Sequence, residues 1–436
     1  MLPRLASLCT LPLAVQAAQP AAAEHTGESG EGCTVREVSR SRLVVEDGRE
    51  LYVEPVAFAV SGREILLAGT PTFLWRRRSP GRPAVELTRD SVFGAVIRRD
   101  GRARIVPSPV DAKLITDVRV LGRGDGTWEA VFAELEAPKA EPADEGAVAR
   151  YWYGVFDGRA WSRLEELPRP EGARPRLLSS VPSPLVRLGD TLWLTTPVTT
   201  NGGESEVVVY SRREGRWTYE LVPTYFAAYA VLAPSDSLGL VLLVVRGDRA
   251  VSWDENSLFM FARRPGWQMV RKVIPGGDEP VHGPSLVASS AGRILAWSSL
   301  VRDPQDPRGA RLEARAMVGW SEARTEPVVT VDSSSAPVPR IVVTSDGAPI
   351  WVTQHSTGAG DELELRFVHP VAGRASVLAR LPNPFQGYHN AASLAPRGLV
   401  IAGPELNRSV DQPALVTLLL RARVQCLRGR IGRASR

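Results

Sequence analysis

The sequence is poor in lysine, histidine and long apolar runs. Its 436 residues include only five histidines and three lysines, and the lysines are Lys113, Lys139 and Lys272. Beyond the N-terminus no apolar run reaches the 18 or more residues that cross a membrane as a helix, and "LGLVLLVV" (238–245) has the length of a buried strand. The sequence therefore predicts no transmembrane segment.

The scarcity of lysine also bears on the partners of the protein. The formal net charge is +5, and the arginines that supply nearly all the positive charge are scattered among 48 acidic residues. Nucleic-acid sites usually combine a basic stripe with interleaved aromatic residues, and no such stripe is present. We therefore predict no nucleic-acid partner.

Motifs that would identify an enzyme are also missing. The sequence has no G-x-S-x-G and no H-E-x-x-H motif, and its histidines lack carboxylates at fixed spacing. We therefore predict no metal and no cofactor, and the catalytic residues, if any exist, are unknown from the sequence.

The N-terminus has the pattern of an export signal. Residues 1–23 carry one positive charge at Arg4, then an apolar stretch and small residues suited to cleavage, and residues 24–32 form a polar linker. Cys9 follows Leu8, whereas a lipoprotein signal favours a small residue before its cysteine. We predict an exported protein in the periplasm or the extracellular space, without lipidation.

The mature sequence repeats a hairpin phrase of alternating β-branched and aromatic residues around a glycine. Examples are "RYWYGVFDGRAWSRLEELP" (150–168) and "EVVVYSRREGRWTYELVP" (206–223). Successive turn glycines are separated by 57, 57, 51, 53 and 54 residues; they are Gly101, Gly158, Gly215, Gly266, Gly319 and Gly373. A period this regular indicates a repeat architecture.

A second glycine-centred hairpin phrase lies between these repeats. Its seven marker glycines are Gly62, Gly126, Gly189, Gly239, Gly292, Gly347 and Gly398. Two hairpins in each period of about 54 residues make a four-stranded unit, which is typical of a propeller blade. We predict an all-β fold, a seven-bladed β-propeller over residues 33–427; six blades are the alternative.

The last blade lacks an outer strand, so another part of the chain must supply one. The candidate is "CTVREVSRSRLVVE" (33–46), which would pair with "VTLLLRARV" (416–424) and cover an exposed sheet edge. This pairing would bring Cys33 next to Cys426, and an exported protein favours a disulfide between them. Two unpaired buried thiols are the alternative. Residues 428–436 form a basic, solvated tail.

The chain resembles the sialidase-like propellers, including the non-catalytic relatives with BNR or Asp-box repeats. The resemblance lies in "EPVHGPSLVASSAGRILAWSSL" (279–300) and "GYHNAASLAPRGLVIAG" (387–403), in which a histidine precedes the innermost strand. It covers most of residues 33–427. The chain departs from the family in three ways. It lacks an intact S-x-D-x-G-x-x-W box, and true sialidases have six blades rather than seven. Their R-I-P motif has only Arg340 as a counterpart here, without the proline.

Loop length predicts which face of the propeller is functional. The two glycine turns of each blade are short, whereas the other connections are long and variable and should form the binding face. On that face we select candidate ligand-binding residues with sugar-stacking or polar side chains: Trp75, Trp253, Asp254, Glu255, His282, Tyr388 and His389. Both histidines lie at blade entrances; packing of the tryptophans under their own loops and capping of backbone groups by the histidines are the alternatives.

These observations leave three functional hypotheses. The first is an exported monomeric propeller that binds a glycan or protein ligand through its loop face without catalysis. The second is a sialidase-like glycoside hydrolase, which rests on fold analogy. The third is a surface structural or interaction module.

Overall fold

The computed structural model consists of β-strands and their connections. It describes residues 33–426 except the following: 47, 77–85, 89–91, 99–101, 111–114, 136–147, 176–183, 202, 204, 226, 236–237, 247–255, 276–278, 290–291, 303–309, 322–327, 335–339, 345–346, 357–362, 372–373, 386–389, 396–397 and 406–416. Within the described part no helix is present. The signal, linker and tail predicted at the two ends lie outside these residues.

The strands form seven sheets that follow one another along the chain. The N-terminal strand is β1 (Cys33–Arg42). Blade 1 has β2 (Glu50–Ser61), β3 (Glu64–Arg76), the short β4 (Glu86–Thr88), β5 (Val92–Ile97) and β6 (Ala103–Pro107). Blade 2 has β7 (Ile115–Gly122), β8 (Trp128–Leu135), β9 (Val148–Phe156) and β10 (Trp161–Glu166). Blade 3 has β11 (Ala173–Pro175), β12 (Val186–Leu188), β13 (Thr191–Thr200), β14 (Ser205–Arg213) and β15 (Arg216–Val222).

The remaining four blades complete the ring. Blade 4 has β16 (Ala227–Ser235), β17 (Gly239–Arg246), β18 (Ser257–Arg263) and β19 (Trp267–Ile274). Blade 5 has β20 (Val281–Ser289), β21 (Gly292–Arg302), β22 (Ala310–Val318) and β23 (Val328–Ser334). Blade 6 has β24 (Arg340–Val343), β25 (Pro349–Ser356), β26 (Leu363–Val371) and β27 (Arg374–Pro382). Blade 7 has β28 (Asn390–Ala395), β29 (Gly398–Pro404), β30 (Thr417–Cys426) and, on its outer edge, β1.

The prediction of a seven-bladed β-propeller is therefore confirmed. Glycines of both sets lie at the predicted hairpin turns: the marker glycine Gly62 has a φ of 61°, and the turn glycine Gly215 has a φ of 81°. Backbone in this left-handed region favours glycine because a Cβ atom would be strained. The repetition in the sequence thus reflects the need for a tight turn at the same place in each blade.

Two blades depart from the regular pattern. Blade 1 has the additional strand β4 paired with β3, and the inner position of blade 3 is shared by β11 and β12, which pair with opposite ends of β13. The sequence between β11 and β12 contains Pro182 and Pro184. Proline lacks the N–H group that a sheet ladder needs, and Pro184 lies two residues before β12 begins.

The N-terminal strand closes the ring as predicted. In blade 7, β1 pairs antiparallel with β30, and Cys33 lies opposite Cys426. The strand ends at Arg42 rather than at residue 46, because Leu43 and Val45 turn inward and are buried between blades 7 and 1. A threonine hydroxyl completes the closure: Thr417 Oγ1 accepts the N–H of Val53 (2.8 Å) and donates to its carbonyl (3.1 Å).

The core consists of aliphatic and aromatic layers between neighbouring blades. One such layer joins Leu66 and Phe93 of blade 1 to Trp128 and Phe132 of blade 2. At the inner edge of the same interface a Cβ atom on Gly122 would lie 1.8 Å from the carbonyl oxygen of Val60. Glycine is required there because the inner strands of blades 1 and 2 approach each other so closely.

Candidate functional site

The two ends of the blades differ in the length of their connections. At one end, which we call the turn face, the first and second strands of the blades join through short turns, such as the turn between Ser61 and Glu64. Most third and fourth strands also join there through short turns; the exceptions are blade 5, where residues 319–327 connect them, and blade 7, whose fourth strand is β1. The opposite end, the loop face, carries the longer connections, including residues 136–147, 247–256, 303–309 and 406–416. Of the predicted binding residues, Trp75 and His282 are described, and both lie at this loop face.

His282 lies on the loop face at the entrance of blade 5. It is the second residue of β20 and lies directly opposite Ser298 of β21. Its ring meets the ring of Tyr229, on the inner strand of blade 4, edge to face at a centroid distance of 6.4 Å. Partial burial lowers the pKa of His282 below its ordinary value of 6.5, so the imidazole favours its neutral form.

A backbone hydrogen bond joins the entrance of blade 5 to the long loop of blade 4. The N–H of Val281 donates to the carbonyl of Asn256 at 3.0 Å, one residue before His282. Asn256 directly follows residues 251–255, which contain the predicted ligand residues Trp253, Asp254 and Glu255. These three lie outside the described residues, but the end of their loop is fixed beside His282.

Two buried polar atoms next to His282 have no hydrogen-bond partner in the described structure. They are Nδ2 of Asn256, whose residue is 2% exposed, and Oγ of Ser298, whose residue is 1% exposed. Buried polar groups nearly always form hydrogen bonds, because leaving them unpaired costs free energy. An amide donor and a hydroxyl buried beside the entrance of blade 5 are groups that a water molecule or a ligand hydroxyl can satisfy.

The other predicted residues are less fully described. Tyr388 and His389 lie outside the described residues, directly before Asn390, where β28 begins. The backbone of Trp75 lies near the end of β3, opposite Glu50 and Leu87. The structure therefore places the backbone of Trp75 on the loop face, and Trp253, Asp254, Glu255, Tyr388 and His389 remain predictions.

The structure also contains a buried polar network that the sequence did not indicate. Arg119 donates to both carboxylate oxygens of Asp117 (3.0 and 2.6 Å) and to the carbonyl of Thr195 in blade 3 (2.5 Å). The hydroxyl of Tyr151 donates to the same carboxylate at 2.6 Å and lies 3.0 Å from the hydroxyl of Thr196. These hydrogen bonds join blade 2 to Thr195 and Thr196 of blade 3.

The pKa shifts of Arg119 and Tyr151 each favour the protonated form of the side chain. Burial opposes the charge of Arg119, but Asp117 outweighs that effect and raises the pKa of the guanidinium. Burial, with the negative charge of Asp117, also raises the pKa of Tyr151 well above 10. The network therefore holds a charged guanidinium and a neutral phenol.

A second network joins the same blades closer to the turn face. Tyr153 donates a hydrogen bond to Glu129 at 2.7 Å, and Arg187 forms an ion pair with the same carboxylate. Arg212 lies 4.6 Å from the centroid of the Tyr153 ring and binds Glu165 at 2.8 Å. Burial and Glu129 raise the pKa of Tyr153. The sequence did not indicate this network, because its five residues come from five different strands.

Among the described residues, no group of three or more histidine, cysteine, aspartate or glutamate side chains could hold a metal ion. Likewise, none of the described segments is a helix long and apolar enough to span a membrane.

Comparisons with known proteins match the fold only. No family model matches the sequence, and no curated protein matches it. A crystal structure of a protein of unknown function from Dyadobacter fermentans is 12% identical, over 90% of this chain and 100% of that one, with a TM-score of 0.47.

Two enzymes are among the other similar structures. A Trypanosoma rangeli sialidase in complex with sialic acid is 9% identical over 90% of this chain, with a TM-score of 0.48, and this chain spans 59% of its length. An α-L-arabinofuranosidase of Fusarium graminearum in complex with an iminosugar inhibitor is 14% identical, over 70% of this chain and 91% of that one, with a TM-score of 0.46. The described strands define the chain as a seven-bladed β-propeller.

Proposed function

We propose that the protein is an exported propeller that binds a glycan on its loop face, at the mouth of the channel beside His282, without catalysis. The observation that carries the proposal is the hydrogen bond from Val281 to Asn256, which joins the entrance of blade 5 to the end of the loop with Trp253. A stacking aromatic and hydrogen-bonding groups at one site are what a sugar ring requires.

The polar groups at this site suit hydroxyl recognition. The amide of Asn256 donates, the hydroxyl of Ser298 both donates and accepts, and neutral His282 offers one nitrogen for each role. Asn256 and Ser298 have polar atoms without a partner among the described groups, so that a sugar hydroxyl or a bridging water gains hydrogen bonds without displacing existing ones.

The two tyrosine–carboxylate pairs support binding rather than glycoside hydrolysis. Tyr151 and Tyr153 are both buried between blades 2 and 3, at 3% and 1% exposure. Their raised pKa values keep both phenols protonated at neutral pH. A nucleophile must reach the substrate and be activated, and these hydroxyls instead hold blades together.

Export and a Cys33–Cys426 disulfide belong to the same proposal. An oxidising compartment permits the bond, and the antiparallel register brings the two backbones together. A covalent bond at this position would close the ring at the turn-face edge of blade 7 and stabilise the fold that carries the site.

Binding to an immobilised panel of neutral and acidic oligosaccharides tests the proposal. We expect retention of a subset of glycans and a loss of about tenfold or more in affinity for His282→Ala and Ser298→Ala, corresponding to about 1.4 kcal/mol. His369→Ala is the matched control, because its Nδ1 lies 2.8 Å from the carbonyl of Pro349 in blade 6, near the turn face. Equal binding by all variants, or hydrolysis of a retained glycan, would contradict the proposal.

A further inference from the structure

Two arginines face each other across the strand pair that closes the ring. Arg36 of β1 lies directly opposite Arg423 of β30, three residues from the turn-face ends of both strands. Side chains directly opposite in an antiparallel pair lie on the same side of the sheet, with Cβ atoms about 4.5–5.5 Å apart. Both arginines are exposed to solvent.

This like-charge pair has no neutralising partner in the described structure. Neither Arg36 nor Arg423 forms a salt bridge with a described residue, although Glu37 lies next to Arg36 in sequence. Glu37 instead binds Arg40 at 2.9 Å. Like charges placed directly opposite each other destabilise a sheet, so this arrangement favours an anion between the two guanidinium groups.

The surroundings of the pair are open and positively charged. On the other side of Arg423 lies Gly398 of β29, which has no side chain to cover it. On the same side of β30, Arg421 reaches blade 1, where its Nη2 lies 3.4 Å from the carbonyl of Arg98. The carboxylates nearest this junction, Glu46 and Glu64, pair with Arg98.

We propose that Arg36 and Arg423 form a binding site for a phosphate group on the turn face, independent of the glycan site on the loop face. A guanidinium is planar and always charged, and its parallel N–H groups match phosphate oxygens in pairs. Two such groups on adjacent strands bind a divalent anion better than a carboxylate, since phosphate offers more oxygens and more charge. The phosphate is free in solution or carried by a lipid headgroup.

Thermal unfolding of the full chain tests the site with inorganic phosphate as the probe. We expect about 10 mM phosphate to raise Tm by about 2 °C over sodium chloride of equal ionic strength. Arg36→Gln and Arg423→Gln should each abolish this rise, and without phosphate each should keep or raise Tm, because the repulsion is removed. Arg40→Gln on the same strand is the control that retains the rise. Circular dichroism verifies folding of each variant.

Sedimentation with vesicles separates the two sources of phosphate. Binding of the wild type, and not of the two variants, to vesicles that contain phosphatidic acid, whose phosphomonoester can carry two charges, with none to phosphatidylcholine alone, assigns the site to a lipid headgroup. A phosphate-dependent Tm without vesicle binding assigns it to free phosphate. An equal rise with sodium chloride, or a rise retained by both variants, overturns the proposal whatever the vesicles show.

Discussion

Cys33 lies directly opposite Cys426 in the antiparallel ladder between β1 and β30. Directly opposite residues in such a ladder have Cα atoms about 4.5 or 5.5 Å apart, and a disulfide needs about 4.4–6.8 Å. We predict that the exported protein contains this disulfide. Non-reducing peptide mapping should recover one cross-linked peptide with both cysteines, whereas two free thiols under oxidising conditions would refute the bond.

The loss of stability distinguishes the contribution of the Cys33–Cys426 disulfide from that of the pairing of β1. A disulfide that closes a loop of about 390 residues stabilises by roughly 3–5 kcal/mol in the chain-entropy model, and less in an already rigid ring. Cys33→Ser should therefore cost a few kcal/mol at most. Deletion of residues 24–45 should do more harm, because it also exposes the edge of β30.

Thr417 supplies the second test of ring closure. Its hydroxyl satisfies both the N–H and the carbonyl of Val53, across the boundary between blades 7 and 1. Thr417→Val keeps the shape and leaves both backbone groups unpaired, so we expect a loss of about 2–4 kcal/mol in the free energy of unfolding. Denaturant unfolding measures the loss. Thr218→Val, which removes an exposed hydroxyl bonded to Ser211, is the matched control and should change stability by less than about 1 kcal/mol.

Gly122 tests the close contact of blades 1 and 2. Gly122→Ala would place a methyl carbon against the carbonyl oxygen of Val60, so we expect a loss of about 3 kcal/mol or more, or failure to fold. Gly239→Ala is the comparison, because Gly239 has open space around its Cβ position but a φ of 73°. It should cost about 1 kcal/mol. Equal losses for both variants, measured by thermal unfolding, would mean that the strands separate easily at Gly122.

His282 should make stability depend on pH. Because burial lowers its pKa below 6.5 in the folded state, the unfolded chain binds the proton more readily. Its contribution is therefore complete above about pH 6.5 and is lost as the pH falls through this value toward the lower folded pKa. His282→Gln should flatten the decline of Tm between about pH 7.5 and 5. His369→Gln should leave this part of the decline in place, and an unchanged slope in His282→Gln would contradict the assignment.

The regular features of the fold were predictable because each follows from a local requirement. The seven marker glycines revealed the seven blades, since a left-handed turn favours glycine, and the incomplete last blade identified β1 as its missing strand. The split inner strand of blade 3 was not predicted. A proline-rich stretch such as the one around Pro182 and Pro184 shows that a strand is weak, but not which of its ends still pair.

The candidate site was predictable only in part. His282 could be selected from its place before an innermost strand, and the loop with Trp253 from its length and composition. The roles of Asn256 and Ser298 depend on a contact between blades that no sequence spacing reveals. The same holds for Tyr151 and Thr196, which meet only after blades 2 and 3 have packed together.

Hydrogen–deuterium exchange with the strongest-binding oligosaccharide of the panel tests the central claim most directly. Exchange reports local opening, which a bound ligand suppresses where it makes contact. The account predicts slower exchange in residues 256–258 and 279–283 at the loop face, with no change in the turns at 122–127 and 156–160. Protection confined to the turn face, or binding with no protection around His282, would contradict it.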